Sequence, residues 1–139
     1  MTHPLWALRR AIHARLSGDA ELSGLLGGPR IYEEPPRGAQ PPYVVFGEAT
    51  SRDWSDTSGD GHEHIVTILV WSGEPGAKQA LRLAERVAAL LDEAELALQG
   101  HRLVNLRLVA QELKREGRPE PLRRVSLRLR AVTEAQSSQ

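Results

Sequence analysis

From residue 122 to residue 133 the chain alternates with a period of two. Val125, Leu127, Leu129 and Ala131 fall on one parity, and Arg124, Ser126, Arg128 and Arg130 on the other. Successive side chains of a strand point to opposite faces, so this pattern demands a strand with one buried face and an arginine stripe on the other. Such a strand needs others beside it and a layer to cover its apolar side. Residues 62–71 supply the best partner. This stretch is β-branched and apolar on both parities from Ile65 onward, which predicts cover on both faces for much of its length.

Helical periodicity appears twice. Leu5, Leu8, Ile12 and Leu16, with Ala11 beside them, mark one face of a helix over residues 4–16. Thr2 is placed to cap it, Pro4 suits its first turn, and Ser17-Gly18 should end it with a left-handed glycine. Asp19 can cap a second, short helix carrying Leu22, Leu25 and Leu26, which Gly27-Gly28-Pro29 ends. The other long helix spans residues 77–92, with Ala80, Leu81, Ala84, Val87, Ala88 and Leu91 on its apolar face. Extended segments fill the rest: Ile31-Tyr32, residues 43–49, the short 96–98 and 102–112. In the last of these, Leu103, Asn105, Arg107 and Val109 share one parity, and Val104, Leu106, Leu108 and Ala110 the other. Residues 34–42 hold four prolines and form a loop. Residues 50–61 and 113–121 are polar and read as mobile loops, and 134–139 as a frayed tail. The expected fold is α+β: one mostly antiparallel sheet with both long helices on one face, in the order α-β-β-β-α-β-β-β. The 139 residues suit one domain, 1–139.

Chemistry is hard to find in this chain. There is no cysteine, which excludes disulfides and thiolate metal sites and is compatible with the bacterial cytoplasm. No apolar run approaches the roughly 20 residues of a membrane-spanning helix. His62 and His64 would share a strand face and could give two ligands of a metal-dependent hydrolase. The third would have to be His3, His13 or His101, none at an informative spacing, and a polar strand entry explains the pair equally well. Asp53, Asp56 and Asp60 lack the alternate-position spacing of a calcium loop. No phosphate cradle or nucleophile elbow is present. Neither catalytic nor cofactor-binding nor metal-ligating residues are therefore expected. Trp54, in a polar segment, is either folded back on the core or held out as an interface anchor.

Charge is more informative than motif. The chain is neutral overall, which argues against bulk affinity for nucleic acid. Residues 33–63 nevertheless carry seven acidic and two basic groups, a net −5, while residues 101–139 carry nine basic and four acidic, a net +5. The two segments can pair within one subunit, or unlike patches of neighbouring copies can meet head to tail. Arginines at 124, 128 and 130 also fit an edge guard against aggregation. The second arrangement would place Arg52, Asp53, Trp54 and Asp56 on one side of a contact. Lys114, Arg115, Arg118, Arg124, Arg128 and Arg130 would lie on the other.

In order and spacing, the early helix, Ile31-Tyr32 with its proline loop, Pro42-Tyr43-Val44-Val45-Phe46, Val70-Trp71-Ser72 and the Ala/Leu helix after it look like one family. The chain resembles the tail completion, or tail terminator, proteins of long-tailed phages and gene transfer agents, from Pro4 to about Thr133. The resemblance implies a virion structural protein and no enzyme. It implies a homo-oligomeric ring, a hexamer, at the top of the tail. The ring would end polymerisation of the tail tube protein and join the tail to the head-side connector or stopper protein. DNA would only pass through its lumen, and no membrane would be involved. The protein would be assembled in the bacterial cytoplasm and then reside in the particle. Another head-tail joining ring subunit is the nearest alternative.

Overall fold

The computed structural model describes residues 2–57, 59–117 and 122–136. Helix α1 (Pro4–Ser17) and the short α2 (Ala20–Leu26) lead into β1 (Ile31–Tyr32), β2 (Tyr43–Asp53) and β3 (Gly61–Ser72). Helix α3 (Lys78–Leu91) follows, then β4 (Ala97–Leu98), β5 (His101–Glu116) and β6 (Leu122–Ala135). The strands form one six-stranded sheet in the order β1-β2-β3-β6-β5-β4. Every pairing is antiparallel except the two-residue one between β1 and β2. This is the expected α+β architecture.

The core lies between the helices and one face of the sheet. Leu8, Ile12 and Leu16 of α1 meet Leu83, Val87 and Leu91 of α3 over Val66, Ile68 and Val70 of β3 and Leu127 and Leu129 of β6. The parity predicted for β6 holds, since Val125, Leu127, Leu129 and Ala131 are all buried. β3 departs from expectation. Its residues Val66, Ile68 and Val70 are buried, whereas Ile65, Leu69 and Trp71 are only half-covered, because no helix lies on the second face. The stripe of α3 is rotated from the predicted one: Leu83 and Leu90 are buried, while Leu81 is 47% exposed.

Helix ends also correct two expectations. His3, not Thr2, caps α1, its Nδ1 accepting the Leu5 N–H at 3.1 Å. Gly18 is right-handed (φ −81°), because the chain runs straight on into α2 and needs no reversal there. The left-handed turn comes at Gly27 (φ 79°), after α2. Asp19 caps α2 as expected, its carboxylate accepting the Leu22 N–H at 2.9 Å. The same carboxylate takes two hydrogen bonds from Arg86 of α3, at 2.7 and 2.9 Å. Arg86, together with the Leu22 amide, holds the Asp19 carboxyl down at about 2.

Strands run further than predicted. β2 continues to Asp53 and β5 to Glu116, so much of the two expected loops is paired backbone. Glu134 and Ala135 belong to β6 and not to a tail. Arg118 and residues 119–121 and 137–139 lie outside the described residues. The parity predicted for β5 breaks at two bulges, between Leu103 and Asn105 and between Leu108 and Ala110. An extra residue in one strand re-aims all that follow it, and here the bulged residues are Val104 and Val109, both exposed.

His64 is the bulkiest polar side chain wholly buried among the described residues. It lies beneath the helices, its Nδ1 2.6 Å from Ser51 Oγ and its Nε2 2.9 Å from Thr133 Oγ1. A neutral imidazole has one donor and one acceptor nitrogen, and a hydroxyl can complement either. Burial, with lesser contributions from His62, His3 and His101, lowers its pKa to about 4. In the unfolded chain His64 would titrate near 6.5. Between these values the unfolded chain binds more protons, so the contribution is complete above about pH 6.5 and is lost as pH falls through about 4. We expect stability, measured by denaturant titration, to drop over this window by on the order of 3 kcal/mol. In His64→Leu the slope over the same window should flatten, and an unchanged slope would assign it to other groups. We further expect Asp19→Ala to lower the thermal midpoint more than Glu21→Ala. Asp19 both caps a helix and clamps Arg86, whereas Glu21 only adds an exposed contact to the same guanidinium. Asp19→Asn should fall between them, since it keeps the capping oxygen but not the charge.

Candidate subunit interface

The face of the sheet away from the helices is open and charged. The registers place Glu63, Ile65, Thr67, Leu69 and Trp71 of β3 there. Beside them stand Arg124, Ser126, Arg128 and Arg130 of β6. At the end nearest the β2–β3 hairpin, Glu63 is almost fully covered by two arginines. Arg52 Nε donates to one carboxylate oxygen and Arg130 Nε to the other, each at 2.6 Å. Both guanidinium groups hold the Glu63 carboxyl below the usual carboxylate range, Arg52 having the larger effect.

These two arginines also fix Trp54. The indole carries the Arg52 guanidinium 4.9 Å from its centroid and that of Arg130 at 5.5 Å, and the residue remains 47% exposed. Its backbone is tied down by Trp54 N–H to Gly61 O at 2.8 Å. Asp53 closes the turn by accepting from both the backbone N–H and the hydroxyl of Ser55, which lowers its pKa. Trp54 is therefore not folded onto the core. It is held out from the sheet by two guanidinium groups and by its backbone hydrogen bond.

The arginine stripe divides. Arg124 donates to Glu116 at 2.8 Å and stands over Trp71, 5.6 Å from its ring centroid. Arg130 is held by Glu63. Arg128 is exposed and has no ion pair among the described residues. Between it and Glu48 lies a shallow groove of about 510 Å3, floored by Thr67 and Leu69. Lys114, 3.5 Å from Glu112, and Arg115 are exposed near the far end of β5. Asp56 is exposed in the hairpin tip. Cross-strand pairing sets like charges opposite each other at Arg107 and Arg130, Lys114 and Arg124, and Arg115 and Arg123, an arrangement that costs stability unless compensated. Glu63 with Arg130 joins the acidic and basic segments directly, whereas Glu33 pairs with Arg9, and Glu116 and Glu134 pair within the basic segment.

Sequence reasoning missed several exposed apolar side chains: Trp6, Val104, Val109 and Leu113. Apolar residues on both parities of 102–112 were the available sign that the strand is bulged.

The histidines are engaged in the fold. His62 and His64 stack with centroids 6.0 Å apart, but both nitrogens of His64 face hydroxyls. His101 Nε2 donates to Thr2 O at 2.7 Å, and His13 Nε2 to Ile31 O at 3.2 Å. Among the described residues, no group of three histidine or acidic side chains is gathered to hold a metal.

The sheet thus presents an open, charged face with an exposed tryptophan at one end, and relatives carry the same fold. The family model for tail completion protein gp17 matches residues 10–134. A chain of the virion of a native gene transfer agent (GTA) particle superposes with a TM-score of 0.87. It is 31% identical, over 97% of this chain and 100% of that one. No curated protein sequence matches. With the family model spanning nearly all of the folded chain and a virion protein sharing its whole architecture, the chain belongs to the tail completion protein family.

Proposed function

We propose that this protein is a non-enzymatic structural subunit of a phage-like particle and that copies of it close into a ring, a hexamer, on top of the tail tube. The ring stops addition of tube protein and docks the tail to the head-side connector or stopper protein, with DNA passing through the lumen. It is assembled in the bacterial cytoplasm and retained at the neck of the particle. The observation that carries this reading is the family membership together with the full-length likeness to a gene transfer agent virion chain. The geometry agrees with it. The sheet is a rigid plate, hairpins project from its two ends, and the side chains best placed for contact are exposed.

In this reading Arg52, Asp53, Trp54 and Asp56 belong to one side of the subunit contact. Lys114, Arg115, Arg118 and Arg128 belong to the other. Arg124 and Arg130 have internal partners and chiefly hold the sheet face in shape. A hydrolase built on His62 and His64 is disfavoured by the engagement of both His64 nitrogens.

Disrupting the gene in the producing cells should give overlong tails, or heads and tails that fail to join, visible by electron microscopy. Joined tails of normal length would overturn the proposal. Arg128→Glu should leave the stability of the subunit within about 0.5 kcal/mol, as an exposed change without a partner to lose. It should nevertheless slow ring formation with tube protein, and raised salt should weaken assembly of the unsubstituted protein in the same direction.

A further inference from the structure

Both sides of the sheet end in strands that are covered for only part of their length. β1 pairs with Val44 and Val45 of β2 alone. β4 pairs with His101 and Arg102 of β5 alone. The turn after α3 caps a little more of β5, through Glu93 N–H to Leu106 O and through the Asp92 carboxylate to Leu108 N–H. Beyond these contacts, among the described residues, no strand pairs with the outer edge of β2 over 46–53 or with that of β5 over 109–116. Each open edge is eight residues long, and they lie on opposite sides of one subunit.

We infer that in the ring the open edge of β2 pairs with the open edge of β5 of the next copy, so that the sheets join into one continuous barrel. The inference rests on the ring reading and specifies how the ring closes.

Four requirements must be met, and the chain meets each. The first is direction. β2, β3, β6 and β5 alternate, so β2 and β5 of one subunit are antiparallel. A rotation about an axis broadly along the strands preserves direction. β2 therefore meets the neighbour's β5 antiparallel, and this junction continues the alternation.

Face is the second requirement. Matching the two segments end to end sets Thr50 beside Glu112, Glu48 beside Lys114 and Arg52 beside Ala110. Thr50, Arg52, Ala110, Glu112 and Lys114 lie on the open face by their partners in β3 and β6, and Glu48 by the groove it lines; past Glu48 the β2 bulge ends the match, because Phe46 is on the helix face and Glu116 on the open one. The intervening Ala49 meets Leu113 on the helix face. A slip of one residue would turn every side chain to the wrong side.

Slope comes third. Within one subunit Glu112 is level with Ser126, Leu69 and Val45, whereas Thr50 is level with Ile65, four residues along β3 from Leu69. The junction therefore shifts by about 13 Å along the strands for about 19 Å around the ring, taking ~3.3 Å per residue and ~4.8 Å per strand. The resulting tilt of about 35° is what closed barrels adopt.

The last requirement is chemical. Glu48 faces Lys114, and Arg52 lies diagonal to Glu112, both unlike pairs. Trp54, one residue past the end of β2, comes diagonal to Val109, which stands opposite Asp53, and Leu113 gains cover from Ala49. Three of the six large apolar side chains exposed among the described residues are thus brought to one seam. A stripe of bulges and charges keeps each edge from pairing with arbitrary strands, and the matched pattern admits the edge of its own kind.

The chain has no cysteine, so introduced ones report the seam directly. In Thr50→Cys/Glu112→Cys, rings assembled with tube protein and then oxidised should give a ladder of covalent multimers on a denaturing gel. Either single variant should give none. A ring of correct mass whose double variant gives no ladder would overturn the inference while leaving the ring reading intact. Charge reversal gives an independent check. E48K and K114E should each slow ring formation by about tenfold, and the double variant should recover most of that loss, as directly coupled sites do. Additive losses in the double variant would sink the seam. Failure of the unsubstituted protein to form any ring would sink the ring reading, and this inference with it.

Discussion

β3 and β6 run antiparallel in unbroken register from Gly61 opposite Glu134 to Ser72 opposite Arg123. This central ladder has no bulge, and the rest of the structure is built outward from it. One parity of each strand supplies the sheet side of the core, and the other supplies the open face. Because the two strands stay in step for their whole length, Glu63 and Arg130 are always neighbours, as are Trp71 and Arg124. Irregularity is exported to the flanking strands. β2 shifts register between Phe46 and Ala49, and β5 shifts twice. A bulge in an outer strand bends it and redirects its side chains without disturbing the packing beneath the helices.

What was legible in the sequence follows this division. β6 was read correctly because a strand covered on one side alone writes its burial into strict alternation. α1 was legible for the analogous reason. α3 was read a step out of phase. Alanines fit either side of its boundary, and Leu81 and Leu83 are equally apolar, so composition alone could not choose which of them the sheet would cover. β5 misled because a bulge is a matter of backbone geometry, and Val104 and Val109 look like ordinary strand residues until their partners are known. The ends of β2 and β5 were read as loops because their residues are polar. An extended hairpin that leaves the helical layer has no apolar face to hide, so its sequence resembles that of a loop while its backbone remains paired. His64 reads in the sequence as a possible ligand or as part of a polar strand entry, and neither reading anticipates its burial. A strand neighbour, Ser51, and the distant Thr133 make it a buried hydrogen-bonded group.

The candidate surface was only partly legible. The opposite charges of 33–63 and 101–139 were visible, yet their distribution among internal and external partners depends on the fold. Glu63 takes two arginines at once. Its near-complete cover, with each carboxylate oxygen engaged, makes it an organising residue: it desolvates one carboxylate and in return fixes two guanidinium groups and the indole between them. A buried carboxylate of this kind need not raise stability greatly, because desolvation offsets much of the attraction. Its value is geometric. Trp54 reaches the surface already oriented, so little freedom would remain to be lost in the proposed contact.

Solubility and assembly make opposing demands on such a subunit. A strand edge left open for a partner is open to any other strand, and a free subunit must survive until the right neighbour arrives. Placing the bulges and a dense set of charges on β2 and β5 would meet both demands in the proposed ring. Exposed ion pairs add only about 0–1 kcal/mol each, too little to hold a ring together. Mismatched charges, however, oppose a wrong approach, and a bulged edge offers a continuous ladder only to a strand that complements its displacement. In the proposed ring, affinity would then come from backbone hydrogen bonds made together and from apolar cover at Trp54, Val109 and Leu113. None of these forms well until register and face are correct. In the proposed seam the charges would choose the partner, and backbone pairing with apolar cover would hold it only after the choice is made.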